Sequence, residues 1–304
     1  MDDGVDFLNG GNMLIKPDCI PCILRMSITA IRELALNESD EKELYGRILE
    51  LPSLRGQSWD ITSAEIIEFV WGKVSDKTKN ADPFYSLKLE QNKRILEIYP
   101  FLEKLVIEAS DPLYTAVKLA ILGNAIDVML TDSRQRIENS IKEKLEAPIS
   151  KAMYGEFKKR LAQSRRLLFF GDNAGEIVFD RLLIETIRKT CNPEIAFVVR
   201  SFPALNDATF EEARVVGMDK IATLVENGID GPLPGTILKR CSQEVNELVD
   251  RADLVISKGG GNFDTLEEEK GYLKDKITFM LLSKCDPYYK YFGVEIDQPV
   301  LANF

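Results

Sequence analysis

The sequence RLLFFGDNAGE, residues 166–176, decides the fold of this chain. Its apolar run Leu167–Phe170 is typical of a parallel strand covered on both faces, and helical periodicity resumes at Ile177. The turn between them therefore lies at the carboxyl end of a strand, which in open α/β sheets is the ligand crevice. Asp172 and Asn173 supply hard oxygen ligands that suit Mg²⁺ or Mn²⁺. Taken alone, the turn is also explained by Asp172 capping the next helix.

The composition excludes several kinds of chemistry. The 304 residues contain no histidine, so Ser-His-Asp triads, Cys-His pairs and His-based zinc proteases are ruled out. A net charge of −10 argues against nucleic acid as the main partner. No apolar run approaches the roughly 20 residues of a membrane span. With no cleavable signal pattern and only five cysteines, we expect a cytoplasmic protein.

The chain divides into three parts by composition and periodicity. Residues 1–12 are rich in Gly, Asp and Asn without periodicity, which predicts a disordered leader. Residues 13–163 are helical in pattern throughout. Their helix starts are indicated by the capping box Thr62-Ser-Ala-Glu65 and by Asp82-Pro83 and Asp111-Pro112. Residues 164–304 form the third part, which we expect to be an α/β core that binds metal and phosphate.

Apolar runs alternate with helical segments throughout the third part of the chain. The runs are Leu167–Phe170, Ile195–Val199, Ile221–Val225, Leu254–Ile256 and Ile277–Leu282. Such alternation predicts a Rossmann-like, mostly parallel sheet with helices on both faces, preceded here by an all-helical region that packs onto it.

A second acidic pair follows the second predicted strand. Asn206 and Asp207 lie in the next strand-to-helix connection. Neighbouring strands pair at about 4.8 Å, so Asp172, Asn173 and Asp207 converge on one cation if the first two strands are adjacent. Taken alone, Asn206-Asp207 is equally explained as a helix cap.

Two further strand ends carry groups that suit an anion. Ser257–Phe263 contains three successive glycines, whose free N–H groups can surround an anion, and Lys258 adds positive charge. A flexible turn is the alternative. Lys284 ends the last predicted strand, where a surface lysine beginning a loop is the alternative. Together the four strand ends predict metal-assisted phosphoryl chemistry.

These motifs in combination resemble the damage-control phosphatase family, also called the ARMT-like domain family. The resemblance rests on Gly171–Glu176, on Pro203–Thr209, on Ser257–Phe263 and on Lys284-Cys285. Lys16–Cys22 and Gly123–Asp127 are similar to its cysteine-containing prokaryotic branch, and the likeness extends over nearly the whole chain from Met13. It implies a metal-dependent phosphatase acting on small phosphate monoesters, such as sugar phosphates or damaged phosphometabolites, with a helical N-terminal region and a Rossmann-like core.

The resemblance also implies roles for individual residues. Asp172, Asn173 and Asp207 would bind a divalent cation, whether Mg²⁺, Mn²⁺, Co²⁺ or Ni²⁺, and Lys284 would contact the transferred phosphoryl group. The phosphate-binding set comprises Ser257, Lys258, Gly259, Gly261 and Asn262, together with Asn206. We expect metal-bound water to attack, because a carboxylate bound to metal is a poor nucleophile.

Three residues outside these sets are candidates for substrate contacts. Glu176 is a candidate base or substrate-hydroxyl contact, although an acid in the first turn of a helix is also favoured by the helix dipole. Asn124 and Asp127 lie three residues apart on one helical face and are expected to form a specificity wall over the sheet. A solvated helix face is the alternative.

The cysteines indicate a possible second metal site. Cys19-Ile-Pro-Cys22 supplies half of a structural zinc site, and Cys285 is the best third ligand because it lies at the expected active edge. Such a site would dock the N-terminal region onto the core. A thioredoxin-like redox role is disfavoured because the pair precedes an all-helical stretch.

Two other functions remain open from the residues alone. A Rossmann-like sheet also supports an S-adenosylmethionine-dependent methyltransferase, although the usual glycine-rich first loop is missing and the Gly171–Asn173 turn is acidic. The other alternative is a module that binds a metal or metabolite without turnover. We favour the phosphatase, with a small phosphorylated metabolite as its partner.

Overall fold

The computed structural model describes residues 11–34, 36–125, 134–273 and 275–304. The predicted leader, residues 1–12, lies outside this part of the chain except for its last two residues. The helices that precede the sheet are α1 (Cys19–Glu33), α2 (Glu38–Leu49), α3 (Ser63–Thr78), α4 (Tyr85–Ile107), α5 (Pro112–Gly123), α6 (Arg134–Lys144) and α7 (Lys151–Gln163).

Strands and helices alternate through the rest of the chain. In order they are β1 (Arg166–Phe170), α8 (Glu176–Thr190), β2 (Glu194–Val199), α9 (Phe210–Val215), β3 (Thr223–Glu226), α10 (Gln243–Arg251), β4 (Leu254–Lys258), α11 (Gly260–Leu266), α12 (Lys270–Leu273), β5 (Ile277–Leu282), α13 (Asp286–Phe292) and β6 (Pro299–Asn303).

Two of the three predicted helix starts are confirmed. Thr62 and Glu65 form a capping box at α3, and the Asp111 side chain accepts the Tyr114 N–H at the start of α5. The predicted start at Asp82 is wrong, because α4 begins three residues later. The Asp82 carboxylate instead forms an ion pair, 2.7 Å long, with the buried amine of Lys88.

The strands form one sheet of order β3-β2-β1-β4-β5-β6. The first five strands in the chain run parallel and β6 pairs antiparallel with β5, which confirms the predicted mostly parallel sheet. Strand β6 was not predicted from the sequence, because it is a short run that begins with proline, a residue found at strand starts and sheet edges. The chain steps outward from β1 to β3 and then returns to β4. The carboxyl ends of β1 and β4 therefore flank the switch point where ligands bind in such sheets.

Helices cover both faces of the sheet, as predicted. On one face, Leu167 and Phe169 of β1 point into a core shared with α4, α5, α7 and α8. On the other face, Leu168 and Phe170 point into a core shared with α10, α11 and α13. The alternation along β1 explains why its run of apolar residues is unbroken.

The helical region has two different relationships to the sheet. Helices α1 to α3 bury their apolar faces in a cluster of their own, centred on Ile31, Ile48 and Trp71. Helices α4 and α5 instead contribute directly to the core beneath the sheet. The later helices of the region are therefore part of the sheet's own packing, and α5 ends close to the switch point.

Polar contacts attach α3 to the helices and connections of the α/β part of the chain. Ser63 at the start of α3 donates a hydrogen bond to Asp264 of α11. Arg240 forms an ion pair of 2.6 Å with Glu68 of α3. Among the described helices, none combines the length and apolar character needed to cross a membrane.

Candidate active site

The turn after β1 directs polar side chains into the switch point. Helix α8 has Gly175 as its N-cap, at φ 78°, and no side chain caps it, so the helix-cap explanation of Asp172 does not hold. The Asp172 carboxylate instead accepts hydrogen bonds from the amide of Asn173 (2.8 Å), the amide of Asn124 (3.3 Å) and the guanidinium of Arg200 (3.4 Å).

Backbone hydrogen bonds join the connection after β1 to the connection after β2. Asn173 and Asp207 form an isolated antiparallel bridge. The Ala208 N–H donates to the Asp172 carbonyl at 2.8 Å, and the Ala174 N–H donates to the Asn206 carbonyl at 2.8 Å. The structure thus brings Asp172, Asn173 and Asp207 together, as the sequence predicts.

Asp207 is not a helix cap. The capping box of α9 is formed by Thr209 with Glu212. The Asp207 carboxylate is 3% exposed and accepts from Nε of Arg200 at 2.6 Å. The second acid of the site therefore points inward and is held by a cation.

Arg200 is a residue of the site that the sequence analysis missed. It follows β2 directly and lies buried between Asp172 and Asp207. Its Nη1 also donates to the Gly235 carbonyl, the Thr236 hydroxyl and the Asn262 amide oxygen. The sequence did contain a signal for Arg200, because a cationic residue comes immediately after a predicted strand, at the same sheet edge as the two acids.

The two acids lie in a site with excess negative charge. Burial raises the pKa of Asp172 well above its usual range, and the charges of Asp207 and Glu176 raise it further, while Arg200 and Lys284 oppose the shift. Burial likewise raises the pKa of Asp207, against the opposing charge of Arg200. Positive charge supplied at this point would stabilise both ionised forms.

The glycine-rich loop after β4 lies against Asp172. Gly259 has φ 77°, and a Cβ atom there would lie 1.8 Å from a carboxylate oxygen of Asp172. Asn262 donates to the carbonyls of Gly171 (3.0 Å) and Lys258 (2.8 Å), so its side chain ties the loop to the turn. Ser257 is also buried, and its hydroxyl has no hydrogen-bond partner among the described residues.

The structure places the amine of Lys258 away from the loop surface. The side chain is fully buried, and Nζ lies 2.5 Å from Glu176, 2.8 Å from Asp180 and 2.8 Å from the Ala120 carbonyl. This corrects the expectation that Lys258 supplies charge to a phosphate. Glu176 is equally buried, so the expectation of a base that meets substrate is not supported by its position either.

The remaining candidates surround the same turn. Lys284 is exposed after β5, yet its charge lowers the pKa of Asp172, so it lies within electrostatic reach of the acids. Asn124 caps the carboxyl end of α5 and, although buried, donates to Asp172 and Glu176. Asp127 lies outside the described residues.

The oxygen donors at this site fit a divalent cation. In the ion pairs of Arg200 and Lys258, four buried carboxylates share two cations, so the carboxylates outnumber the cations that contact them two to one. The amide oxygen of Asn124 is also buried without a hydrogen-bond partner beside Asp172. Two carboxylates and an amide are the hard donors that Mg²⁺ and Mn²⁺ prefer.

The cysteines form a separate neighbourhood. Burial raises the pKa of Cys285 to about 11, and the nearby Asp264, Cys19 and Cys22 contribute to that shift. In the part of the chain that the structure describes, no three His, Cys, Asp or Glu side chains are arranged to hold a metal ion. The predicted zinc site is therefore not confirmed.

Fold and site together define an open, doubly wound α/β protein with acidic groups at its switch point. Comparison with known proteins identifies the family, because the damage-control phosphatase ARMT1-like domain matches residues 15–300. The chain belongs to this family, which confirms the resemblance found in the sequence.

Relatives from three organisms are similar to this chain over most of its length. The damage-control phosphatase of Archaeoglobus fulgidus is 32% identical over 291 residues, covering 95% of this chain and 98% of that protein. The damage-control phosphatase PH1575 of Pyrococcus horikoshii is 35% identical over 213 residues, covering 68% of this chain and 69% of that protein. An uncharacterized protein of Methanocaldococcus jannaschii is 32% identical over 310 residues, covering 97% of both chains.

A solved structure has the same fold. The crystal structure of PH1575, described as a DUF89 family protein, superposes with a TM-score of 0.85 at 25% sequence identity, covering 96% of this chain and 99% of that one. The predicted enzyme class is thereby confirmed as a phosphatase of a metal-dependent family. Neither the methyltransferase nor the binding-only alternative finds support in these relatives.

Proposed function

We propose that this protein hydrolyses small phosphate monoesters, such as sugar phosphates or damaged phosphometabolites, with a divalent cation held by Asp172, Asn173 and Asp207. The observation that carries the proposal is the pair of backbone hydrogen bonds between the connections after β1 and β2. They hold the three oxygen-bearing side chains at one point of the sheet edge, where excess negative charge favours a cation.

The cation, when bound, supplies positive charge for the phosphoryl oxygens and lowers the pKa of water. The chain's own residues orient and neutralise the substrate. Lys284 extends from the end of β5, where its charge is available to the phosphoryl group. The loop after β4 lies against Asp172 at Gly259. The N–H of Gly259 donates to the Met280 carbonyl, so the backbone amides of the next three residues, Gly260 to Asn262, are the candidates for contacts to phosphate oxygens. Asn206 is a candidate for a substrate contact at the same edge.

Asp172 acts in this proposal as a ligand and not as a nucleophile. Its carboxylate accepts from Arg200, Asn124 and Asn173, which fixes both oxygens in place. A carboxylate held by cations and donors is a weak nucleophile, whereas its charge is well placed to hold a metal.

The identity of the metal is the next question. Mg²⁺, Mn²⁺, Co²⁺ and Ni²⁺ all accept oxygen ligands. For a given site, affinity generally rises from Mn²⁺ through Co²⁺ to Ni²⁺. A structural zinc ion at Cys19, Cys22 and Cys285 stays a prediction, as does a cytoplasmic location. Metal analysis of the purified protein before and after Cys22→Ser tests the zinc prediction, which requires zinc in the wild type and its loss in the variant.

The function is tested by removing metal with chelator and assaying phosphate release. The substrates are a panel of sugar phosphates and an aryl phosphate, with Mg²⁺, Mn²⁺, Co²⁺ or Ni²⁺ added back individually. We expect turnover to return with at least one metal. The rates of phosphate release then rank the substrates. If the folded protein released no phosphate with any of these metals, the proposal would be contradicted.

Lys284→Met separates the phosphate contact from the metal site. We expect kcat to fall about 100-fold, because a preorganised charge at the developing anion is lost, while Mn²⁺ affinity changes little. Lys290→Met is the matched control, since it removes another exposed lysine from the following helix. Equal activity of the two variants would remove Lys284 from the mechanism.

A further inference from the structure

Behind the proposed metal ligands lies a buried group of three charged side chains. Lys258, Glu176 and Asp180 are each 0% exposed. The Lys258 amine is bound by one oxygen of Glu176, one oxygen of Asp180 and the Ala120 carbonyl, at 2.5, 2.8 and 2.8 Å. A buried ion group of this kind is costly to desolvate.

The second oxygen of Glu176 faces the metal ligands. It accepts from the amide nitrogen of Asn124 at 2.9 Å and from that of Asn173 at 3.3 Å. The same Asn173 nitrogen donates to Asp172 at 2.8 Å. The NH₂ group of Asn173 is therefore held between two carboxylates, while Asp180 makes no such contact among the hydrogen bonds of the described residues.

Two acceptors at the nitrogen fix the orientation of the whole amide. An amide carries its two donors on nitrogen and its acceptor lone pairs on oxygen, on opposite sides of a planar group. With the nitrogen of Asn173 hydrogen-bonded to Asp172 and Glu176, the amide oxygen takes part in neither of these contacts. Only the oxygen is able to bind a cation.

We propose that Glu176, itself held by Lys258, is a positioning residue that fixes the Asn173 amide with its oxygen presented to the cation. The inference rests on the proposed function, because it takes Asn173 as a metal ligand. It gives Lys258 and Glu176 a task that requires neither of them to meet the substrate. Polar groups that orient metal ligands typically change metal affinity 10- to 100-fold when they are replaced.

The chain offers a matched pair of variants for the test. Glu176→Gln and Asp180→Asn each remove one carboxylate from Lys258, but only Glu176 contacts Asn173. In Glu176→Gln the amide oxygen of the new side chain is expected to stay on Lys258, which turns its NH₂ group toward the NH₂ group of Asn173. Two donors then face each other, and the Asn173 amide is expected to flip and present nitrogen to the cation.

Mn²⁺ binding to the metal-free protein is measured by titration calorimetry, with melting temperature as a check on folding. We expect Glu176→Gln to weaken Mn²⁺ binding at least tenfold and Asp180→Asn to stay within about threefold of the wild type. The double variant Glu176→Gln with Asn173→Asp should regain most of the affinity. A carboxylate at position 173 presents oxygen in either orientation, so a defect of general stability would not be rescued in this way.

If Glu176→Gln does not fold, Glu176→Asp is used to test the same inference. It keeps the negative charge beside Lys258 but withdraws the carboxylate from Asn173 by one methylene, so weaker Mn²⁺ binding is again expected. Unchanged affinity in the folded Glu176 variants would overturn the inference, as would an equal loss in Asp180→Asn. Absence of Mn²⁺ binding by the wild type would instead overturn the proposed function, so the two failures are distinguishable.

Discussion

Arg200 and Lys258 are two buried cations with different contacts, and they lie at the ends of β2 and β4, the two strands that flank β1. Arg200 follows β2 and contacts Asp172 and Asp207, the two acids proposed to hold metal. Lys258 ends β4 and contacts Glu176 and Asp180, which lie behind the site on α8. One cation therefore compensates the ligands directly, and the other holds a carboxylate that orients a ligand.

Position at a strand end does not by itself define the role of a buried cation. Both residues leave parallel strands at the ligand edge of the sheet, and both are almost fully buried. The helices packed beneath the edge decide which acids each cation meets. For Lys258, the carboxyl end of α5 and the first turns of α8 close over the amine and remove it from the crevice.

The largest effect is expected from Arg200→Met. The change leaves two buried carboxylates without their guanidinium, and breaking a buried pair in this way costs about 3–5 kcal/mol. Urea unfolding in chelator should show this loss, and saturating Mn²⁺ should recover part of it because the cation compensates the same acids. A loss below about 1 kcal/mol in chelator would mean that Arg200 is not the counter-ion described here.

Gly259→Ala tests the close approach of the loop after β4 to Asp172. The new Cβ would lie 1.8 Å from the Asp172 carboxylate in a residue with φ 77°, so both clash and backbone strain oppose it. We expect a loss of about 2–3 kcal/mol in unfolding free energy together with weaker Mn²⁺ binding. Gly271→Ala, where nothing lies within 4 Å of the new Cβ, is the control. Similar behaviour of the two variants would contradict the close approach of the loop to Asp172.

Asp172→Asn, at one of the two acids that contact Arg200, is expected to affect turnover and stability differently. Burial raises the pKa of Asp172, so its ionised form is unfavourable in the metal-free protein and the neutral amide should leave melting in chelator unchanged or higher. Turnover should fall at least 100-fold because a charged ligand is lost, a transition-state effect of about 2.7 kcal/mol. Retained phosphate release in the folded variant would remove Asp172 from the active site.

The smallest effect on stability is expected from Asp180→Asn, which changes one of the two carboxylates that contact Lys258. Burial raises the pKa of Asp180 from 3.8 to about 7, with Lys258 opposing the shift. Because the folded-state pKa is raised, the protonated form is favoured at low pH and stability falls as the pH rises through about 7. Between pH 6 and 8 the wild type should lose about 1 kcal/mol relative to Asp180→Asn. Parallel stability curves for the two proteins would show that Asp180 does not titrate in this range.

Much of the fold was predictable because its signals are local. The unbroken apolar run Leu167–Phe170 and the alternation that follows indicate a parallel sheet, and five of its six strands were found. The missed β6 is a short run after a proline, paired antiparallel at the sheet edge. The convergence of Asp172 and Asp207 was predictable because it needs only adjacent strands, and β1 and β2 are adjacent.

The contacts beneath the sheet edge were not predictable in the same way. Lys258 meets Glu176 in an ion pair that spans 82 residues of chain, and the Asn124 amide reaches Asp172 over 48 residues. Such contacts depend on how α5 packs against α8, and hydrophobic periodicity shows only that each helix has an apolar face. The burial of Lys258 follows from that packing as well.

The most direct test of the account is a crystal of this protein soaked in Mn²⁺ and examined by anomalous scattering. We expect a single strong peak at the ends of β1 and β2, within bonding distance of oxygens from Asp172, Asn173 and Asp207. The Asn173 nitrogen should remain on Glu176. A peak elsewhere, or none at this edge with the protein folded and active, would contradict the central claim.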